Sequence, residues 1–271
     1  MKLTKEQKFL YTRVTILVAS VGWIAFAFAG LKGFPFWYGG FVVCFWIAFG
    51  LLNFPHRTSL WLLVHRKMPF LVFYAALAGS LVLLDQLALR FLLWFYPFYH
   101  GLWFIWVYAV LYPIAALAQL ELFYFLAGAF KEKLTFVRHS ASRGHHIIDG
   151  IEGILFLLMI LLFLLGAALY PISLLVLFLV SISWIVAATV KLSFHIKHPE
   201  HTILILICAG VLAALLNELP NTLAFEWVYL EAPLLNAVFF GVPLWVWLGW
   251  YWYAIFTLRL WIFLVLHPRI K

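Results

Sequence analysis

Two segments of the chain repeat one spacing of an acid, a tryptophan and a tyrosine. In both, the acid precedes the tryptophan by nine residues and the tyrosine by eleven: Asp85, Trp94 and Tyr96 in the first, Glu218, Trp227 and Tyr229 in the second. A carboxylic acid held out of water keeps its proton and can donate it to a buried substrate. Aromatic faces beside it can hold a polyene and stabilise a cation. The pattern predicts proton-driven chemistry, provided that both tryptophans point inward.

Other polar residues interrupt apolar stretches and are further candidates for this chemistry. An ionisable side chain in hydrocarbon costs about 2.5–3.5 kcal/mol, so each should face the protein interior. Glu121 and Glu226 are predicted to act in catalysis beside the two acids. The predicted substrate-binding residues are Trp94, Tyr96, Trp227, Tyr229, Arg90, Asn217 and Asn221. The alternative is that the acids and amides only join helices by hydrogen bonds, or by an ion pair involving Asp85 and Arg90.

The composition indicates that a lipid bilayer surrounds these segments. The 271 residues are 67% apolar and only 10% charged, far from the composition of soluble domains. With spans of about 20 residues in units of about 34 including loops, the length predicts an all-α polytopic membrane protein with about eight transmembrane helices. It excludes a secreted enzyme, a DNA-binding module and a nucleotide domain. The excess of 18 Lys and Arg over 10 Asp and Glu then indicates basic cytoplasmic loops rather than nucleic-acid binding.

Apolar runs bounded by proline, glycine or charge define the predicted spans. They cover residues 14–30, 36–53, 70–95, 102–130, 147–169, 172–190, 202–219 and 237–267. With the N-terminus in the cytoplasm, nearly all Lys and Arg outside the spans fall on the cytoplasmic side, and only Lys32 falls outside. We therefore expect an integral protein of a prokaryotic plasma membrane, with both termini cytoplasmic.

The repeated spacing also predicts an internal duplication. A displacement of about 130 to 136 residues brings Pro113 onto Pro243 and Pro69 near Pro199. We interpret residues 1–135 and 136–271 as two four-helix repeats within one membrane domain. Because four is even, the repeats must insert in the same orientation, related by a twofold axis along the membrane normal. Chance similarity between two segments rich in Leu and Trp is the alternative.

Several other kinds of site are disfavoured. Cys44 and Cys208 lie inside apolar runs and predict neither a disulfide framework nor a thiolate metal site. Nine of the ten histidines fall on the cytoplasmic side, as in membrane di-iron hydroxylases, but the HxxHH boxes of those enzymes are absent. Phosphate-binding, hydrolase and Rossmann motifs are also absent. The sequence predicts no metal and no cofactor.

The acid, Trp and Tyr series resembles a known family. Leu84-Asp85-Gln86-Leu87 followed by Leu92-Leu93-Trp94-Phe95-Tyr96 is similar to the motif of the integral-membrane lycopene cyclases, where W-D-x-Y leads into G-I-W-x-Y. The segment from Glu218 through Trp227-Val228-Tyr229 to Phe240-Gly241-Val242-Pro243-Leu244 and Trp250 resembles the related carotenoid hydratases. Leu92 stands where the cyclase motif has glycine. The two resemblances cover about 70 residues, and they imply an eight-helix repeat protein without a cofactor.

Together these features predict a redox-neutral, acid–base membrane enzyme that cyclises or hydrates an isoprenoid or carotenoid polyene. Its partners would be membrane lipid and this hydrophobic substrate, with no nucleic acid; assembly with itself or with another chain is left open. Two alternatives from other classes remain: a non-catalytic subunit of a membrane complex and a small-solute transporter. A transporter usually has broken helices near mid-span, and only Pro113 and Pro243 hint at these.

Overall fold

The computed structural model of the chain describes residues 5–131, 143–165, 172–193, 198–230 and 237–266. These residues are almost entirely helical. The first half contains α1 (Lys5–Leu31), α2 (Trp37–Leu52), α3 (Ser59–His65), α4 (Lys67–Arg90), β1 (Trp94–Phe95), α5 (Trp103–Trp106) and α6 (Tyr112–Ala129). The second contains α7 (Arg143–Leu165), α8 (Ile172–Ser193), α9 (Pro199–Ala224), β2 (Val228–Tyr229), β3 (Val238–Phe239), β4 (Val242–Pro243) and α10 (Leu244–Trp261). Two π-helical segments, Val107–Leu111 and Ile262–Leu266, adjoin α6 and α10.

Six helical segments of the described chain are long and apolar enough to cross a membrane. They are Leu10–Leu31, Lys67–Arg90, Trp103–Ala129, Leu175–Ser193, Pro199–Ala224 and Leu244–Leu266. Each overlaps a predicted span. The predicted span 36–53 corresponds to α2, a shorter apolar helix of 16 residues, and the predicted span 147–169 extends past the described part of α7. The helical membrane-type fold is confirmed, whereas the count of eight spans stays a prediction.

Three helix boundaries close to the repeated acid, Trp and Tyr segments differ from those expected. α4 ends at Arg90 rather than at residue 95, because Leu92 adopts a left-handed conformation with φ +54° that ends the helix. α9 continues through Pro220 to Ala224, five residues beyond the predicted end. The last helix begins only at Leu244, after the antiparallel β3–β4 hairpin. The predicted boundary between repeats, at residues 135 and 136, lies outside the described residues.

The core of the bundle lies among α2, α6, α9 and α10, with α1 packed along α2 and α9. Close helix contacts depend on glycine. A Cβ on Gly30 of α1 would lie 2.8 Å from Cβ of Pro220, and one on Gly210 of α9 would lie 3.1 Å from the backbone of Tyr251. A larger side chain at Gly30 would separate α1 from the end of α9. α7 packs against α8, which contacts α9 and α10.

Candidate functional site

A left-handed turn brings each Trp and Tyr pair back towards its acid. Leu92 and Phe225, each two residues before the tryptophan, both have φ +54°. After α4, Leu93 N donates to Ala88 O at 2.9 Å and Leu92 N to Leu89 O at 3.1 Å, the two bonds of a Schellman motif. After α9, Phe225 N makes the single bond of the simpler motif, to Asn221 O at 2.8 Å. Both turns reverse the chain close to the acid.

The two Trp and Tyr segments then pair with each other. β1 and β2 are antiparallel, with Trp94 opposite Tyr229 and Phe95 opposite Val228. Side chains alternate between the two faces of a strand pair, so Trp94 and Tyr229 lie on one face and Phe95 and Val228 on the other. This register relates the segments by a local twofold axis between Phe95 and Val228.

Asp85 is 2% exposed and is surrounded by hydrogen-bond donors. Its Oδ1 accepts from Trp94 Nε1 at 2.9 Å, from Tyr96 OH at 2.7 Å, and also from the Tyr112 hydroxyl. Its Oδ2 accepts from Tyr108 OH at 2.9 Å. Tyr108 lies in the π-helical segment before α6, and Tyr112 is the first residue of α6. The described partners of Asp85 are therefore neutral, and three of the four bond to the same oxygen.

Glu218 is 1% exposed and is bound by the matching pair and one further indole. Trp227 Nε1 donates to Oε2 at 3.2 Å, and Tyr229 OH donates to Oε1 at 2.7 Å. Trp250 Nε1, from α10, also donates to Oε1, at 2.8 Å. In both sites the indole lies within 3.0 Å of the tyrosine oxygen two residues later. The repeated spacing thus corresponds to a repeated hydrogen-bonded group.

Glu226 is a third buried acid at this end of the bundle. Its Oε2 accepts from Tyr38 N at 3.2 Å, and its Oε1 accepts from the Tyr99 hydroxyl. Burial raises the pKa of Glu226 to about 7, although these two hydrogen bonds oppose the shift. A carboxyl with this pKa changes its protonation state near neutral pH.

One cavity of about 300 Å³ contacts all three acids. Its walls are mainly apolar and aromatic, and both Trp94 and Trp227 line it. Trp245 stacks on Trp94 with ring centres 6.1 Å apart and meets Tyr229 edge-on at 5.3 Å. The cavity combines proton-carrying groups with aromatic faces, the arrangement needed to protonate an apolar ligand and shield a cation.

The remaining predicted site residues have other positions. Glu121 is fully buried but is not among the cavity-lining residues; its Oε1 accepts from Ser59 N at 2.9 Å, at the start of α3. Arg90 is exposed at the end of α4. Asn221 binds the Trp227 backbone at both its N and O atoms, with distances of 3.1 and 2.8 Å. Asn217 donates to Ala213 O at 2.6 Å and faces a separate, smaller cavity.

Sequence reasoning missed five tyrosines that contribute to the cavity or to its acids. They are Tyr38, Tyr99, Tyr108, Tyr112 and Tyr253. Tyr108 and Tyr112 lie four residues apart, which places them on one helix face, but many aromatic pairs in this chain share that spacing. Only the packing of α4 against the helix that carries them distinguishes them.

In the described part of the chain, no group of three or more His, Cys, Asp or Glu side chains is arranged to hold a metal ion. No protein-family model, curated protein or solved structure matches this chain. The functional interpretation therefore depends on the geometry of the site itself.

Proposed function

We propose that this protein is a membrane enzyme that protonates a terminal carbon–carbon double bond of an acyclic isoprenoid or carotenoid polyene. The observation that carries the proposal is that Asp85 and Glu218 both lie in the wall of one largely apolar and aromatic cavity. A structural acid needs hydrogen-bond partners but has no need of an apolar cavity beside it. The reaction is redox-neutral and uses only a proton, and water in the case of hydration.

The two acids differ in a way that assigns their roles. Oε1 of Glu218 accepts two described bonds and Oε2 only one, from the Trp227 indole, so Oε2 is the oxygen free to carry a proton. An indole N–H cannot accept a hydrogen bond, so that proton is available to a ligand. On Asp85, Oδ1 accepts three bonds and Oδ2 accepts one, from the Tyr108 hydroxyl, which can turn and accept the hydrogen bond of a proton gained there. Glu218 is the proton donor and Asp85 the proton acceptor.

The reaction then balances without another reagent. The proton of Glu218 forms a new C–H bond with the π electrons of the terminal double bond, leaving a tertiary cation beside the rings of Trp94, Trp245 and Tyr229. In cyclisation, a neighbouring double bond attacks the cation and Asp85 removes a proton. In hydration, a water attacks and loses its proton to a carboxylate. Both routes return one proton to the acids for each one used.

The polyene would enter from the lipid, between α8 and α10. Ile182 of α8 and Leu248 of α10 line the cavity, yet they are 41% and 38% exposed on the surface of the protein. A residue that is both cavity-lining and exposed marks a thin wall or an opening. The terminal group of a long chain would lie between the acids, with the rest of the chain in the bilayer.

The proposal includes eight spans in two four-helix repeats, inserted in one orientation with both termini cytoplasmic. The matched hydrogen-bonded groups and the local twofold between β1 and β2 support this duplication. Cysteines placed at Thr135 and Asn236 test the orientation, because the proposed eight-span topology has them on opposite sides of the membrane. Labelling of both from one side contradicts it.

Conversion of a coloured acyclic carotenoid tests the reaction. Cells that accumulate such a polyene express the protein, the Asp85→Asn/Glu218→Gln double variant, or an Asp149→Asn control, whose carboxylate lies in an ion pair with Lys191 away from the cavity. We expect mass spectrometry to find an isomer or a hydrate with the unmodified protein and the control, and none with the double variant at equal membrane abundance. Unchanged pigment with the unmodified protein, and purified protein that carries no polyene, would overturn the proposal.

A further inference from the structure

A second, smaller cavity lies in the core of the bundle. Its volume is about 20 Å³, and residues of α2, α6, α9 and α10 line it. Most of these side chains are apolar, but Gln119 of α6 and Asn217 of α9 also face it. Trp250 lines both this cavity and the larger one.

Gln119 lines this cavity, and one of its polar side-chain atoms has no hydrogen-bond partner. The side chain is 3% exposed, and its Nε2 donates to Trp250 O at 3.0 Å. Its Oε1 is buried without a hydrogen-bond partner. Exchanging the amide N and O would leave an oxygen facing the Trp250 carbonyl, so the observed orientation is the favourable one. A buried carbonyl without a partner is costly and is usually satisfied by ordered water.

Asn217 presents a second polar group to the same space. It is 7% exposed, and its Nδ2 donates to Ala213 O at 2.6 Å. A primary amide has two N–H groups and one carbonyl, so this bond leaves further hydrogen-bonding capacity on Asn217. The cavity therefore has polar groups on two different helices, unlike the apolar voids that remain dry.

We infer that this cavity is a binding site for one water molecule, which donates to Gln119 Oε1 and bonds to the Asn217 amide. One water needs about 10–15 Å³ of such space and two to four polar partners. The cavity of about 20 Å³ has room for one. This inference does not depend on the proposed reaction.

The water has a structural consequence for the Glu218 site. It holds Gln119, whose amide binds the Trp250 carbonyl, while the Trp250 indole donates to Glu218. Gln119 is thereby a positioning residue for Trp250, and the water fixes Gln119. Loss of the water should loosen Trp250 without removing any group that touches the acid.

A high-resolution density map tests the site directly. We expect one ordered water between Gln119 Oε1 and Asn217 in the unmodified protein, and none in Gln119→Met, which keeps the side-chain length but removes the acceptor. A map that shows other buried waters but an empty cavity at this position would overturn the inference.

A double-variant cycle tests the same point by thermal unfolding in detergent. Ala118 lines the cavity, and Ala118→Val would displace the water and leave Gln119 Oε1 unsatisfied. We expect this variant to lower the unfolding midpoint by at least about 3 °C. In the Gln119→Met background there is no acceptor to leave unsatisfied, so the same substitution should cost less than half as much. If Ala118→Val lowers the unfolding midpoint equally in both backgrounds, the effect is overpacking alone. If it raises the midpoint of the otherwise unmodified protein, the substitution fills a dry void. Either result contradicts a bound water.

Discussion

In the Asp85 site the Trp94 indole and the Tyr96 hydroxyl both donate to one carboxylate oxygen, whereas in the Glu218 site the matching donors bind different oxygens. Glu218 thus accepts the indole at Oε2 and the phenol of its pair at Oε1. The same spacing of residues therefore produces two different distributions of donors. One acid accepts four described hydrogen bonds and the other three.

The additional donors also come from different places. Tyr108, in the π-helical segment before α6, and Tyr112, the first residue of α6, both donate to Asp85. Trp250, in the second turn of α10, donates to Glu218. Tyrosine can donate or accept a hydrogen bond, whereas tryptophan can only donate. The hydroxyl on Asp85 Oδ2 can therefore turn when the acid gains a proton, whereas the indole on Glu218 Oε2 cannot. A duplicated group can acquire opposite roles in this way.

Glu226 adds a further asymmetry. Glu226 is the residue after the left-handed Phe225, and Leu93 is the residue after the left-handed Leu92. A buried acid in the second half therefore corresponds to a buried leucine in the first. The cavity thus has two acids from the second half and one from the first.

The largest expected effect separates the roles of Asp85 and Glu218. Either Asp85→Asn or Glu218→Gln should lower product formation by about 100- to 10,000-fold, the usual contribution of general acid–base catalysis. Deuterium exchange then distinguishes them. In heavy water, Asp85→Asn should still protonate the polyene, and the cation should revert, placing deuterium in recovered substrate. Glu218→Gln should place none.

Mass spectra of recovered polyene provide the measurement, and unmodified protein at low conversion provides the reference. If Glu218→Gln incorporates deuterium and Asp85→Asn does not, the donor and acceptor roles are reversed. Equal incorporation by both variants would mean that the two acids are interchangeable.

The next effect concerns the pH dependence of stability and tests the asymmetry at Glu226. Its pKa is raised from 4.5 to about 7 in the folded protein. The native state then binds more protons than the unfolded state between these values, so stability falls as pH rises through this window. The shift corresponds to about 3 kcal/mol at and above neutral pH.

Unfolding midpoints in detergent from pH 4 to 8 measure this effect, with Glu226→Gln as the comparison. The difference between the two proteins should grow in favour of the variant as pH rises from about 4.5 to 7. A constant difference across the range would mean that Glu226 titrates normally.

A smaller effect on stability is expected when the indole at each acid is removed. Trp227→Phe removes the one described donor to Glu218 Oε2, while Trp94→Phe leaves two described donors on Asp85 Oδ1. An ordinary hydrogen bond contributes about 0.5–1.5 kcal/mol, whereas a buried oxygen that loses its last described partner pays a desolvation cost of about 1–3 kcal/mol. We expect Trp227→Phe to destabilise the protein more than Trp94→Phe does. Urea or thermal unfolding measures the difference, and equal losses would contradict the assignment of donors.

The sequence predicts some parts of this arrangement well because they depend on local spacing. Apolar runs locate the helices, and the acid-to-Trp distance predicts which side chains return to Asp85 and Glu218. The sequence alone cannot show that Glu121 has a different role from Asp85 and Glu218, since all three interrupt apolar runs. Glu121 binds Asn53 and Ser59 instead, which depends on how the end of α2 and the start of α3 pack against α6.

The left-handed turns before each Trp provide the smallest and most local test of the comparison. An L-residue pays about 1–2 kcal/mol in this conformation, whereas glycine adopts it freely but loses about 0.5–1 kcal/mol more entropy on folding. Leu92 and Phe225 are 63% and 56% exposed, so truncating them removes little packing. Leu92→Gly and Phe225→Gly should therefore each stabilise the protein, by up to about 1 kcal/mol. Leu83→Gly, at a 54% exposed position inside α4, is the matched control and should destabilise by about 1 kcal/mol. If all three substitutions destabilise equally, the two turns store no strain, and the matched backbone at the two acids has no energetic basis.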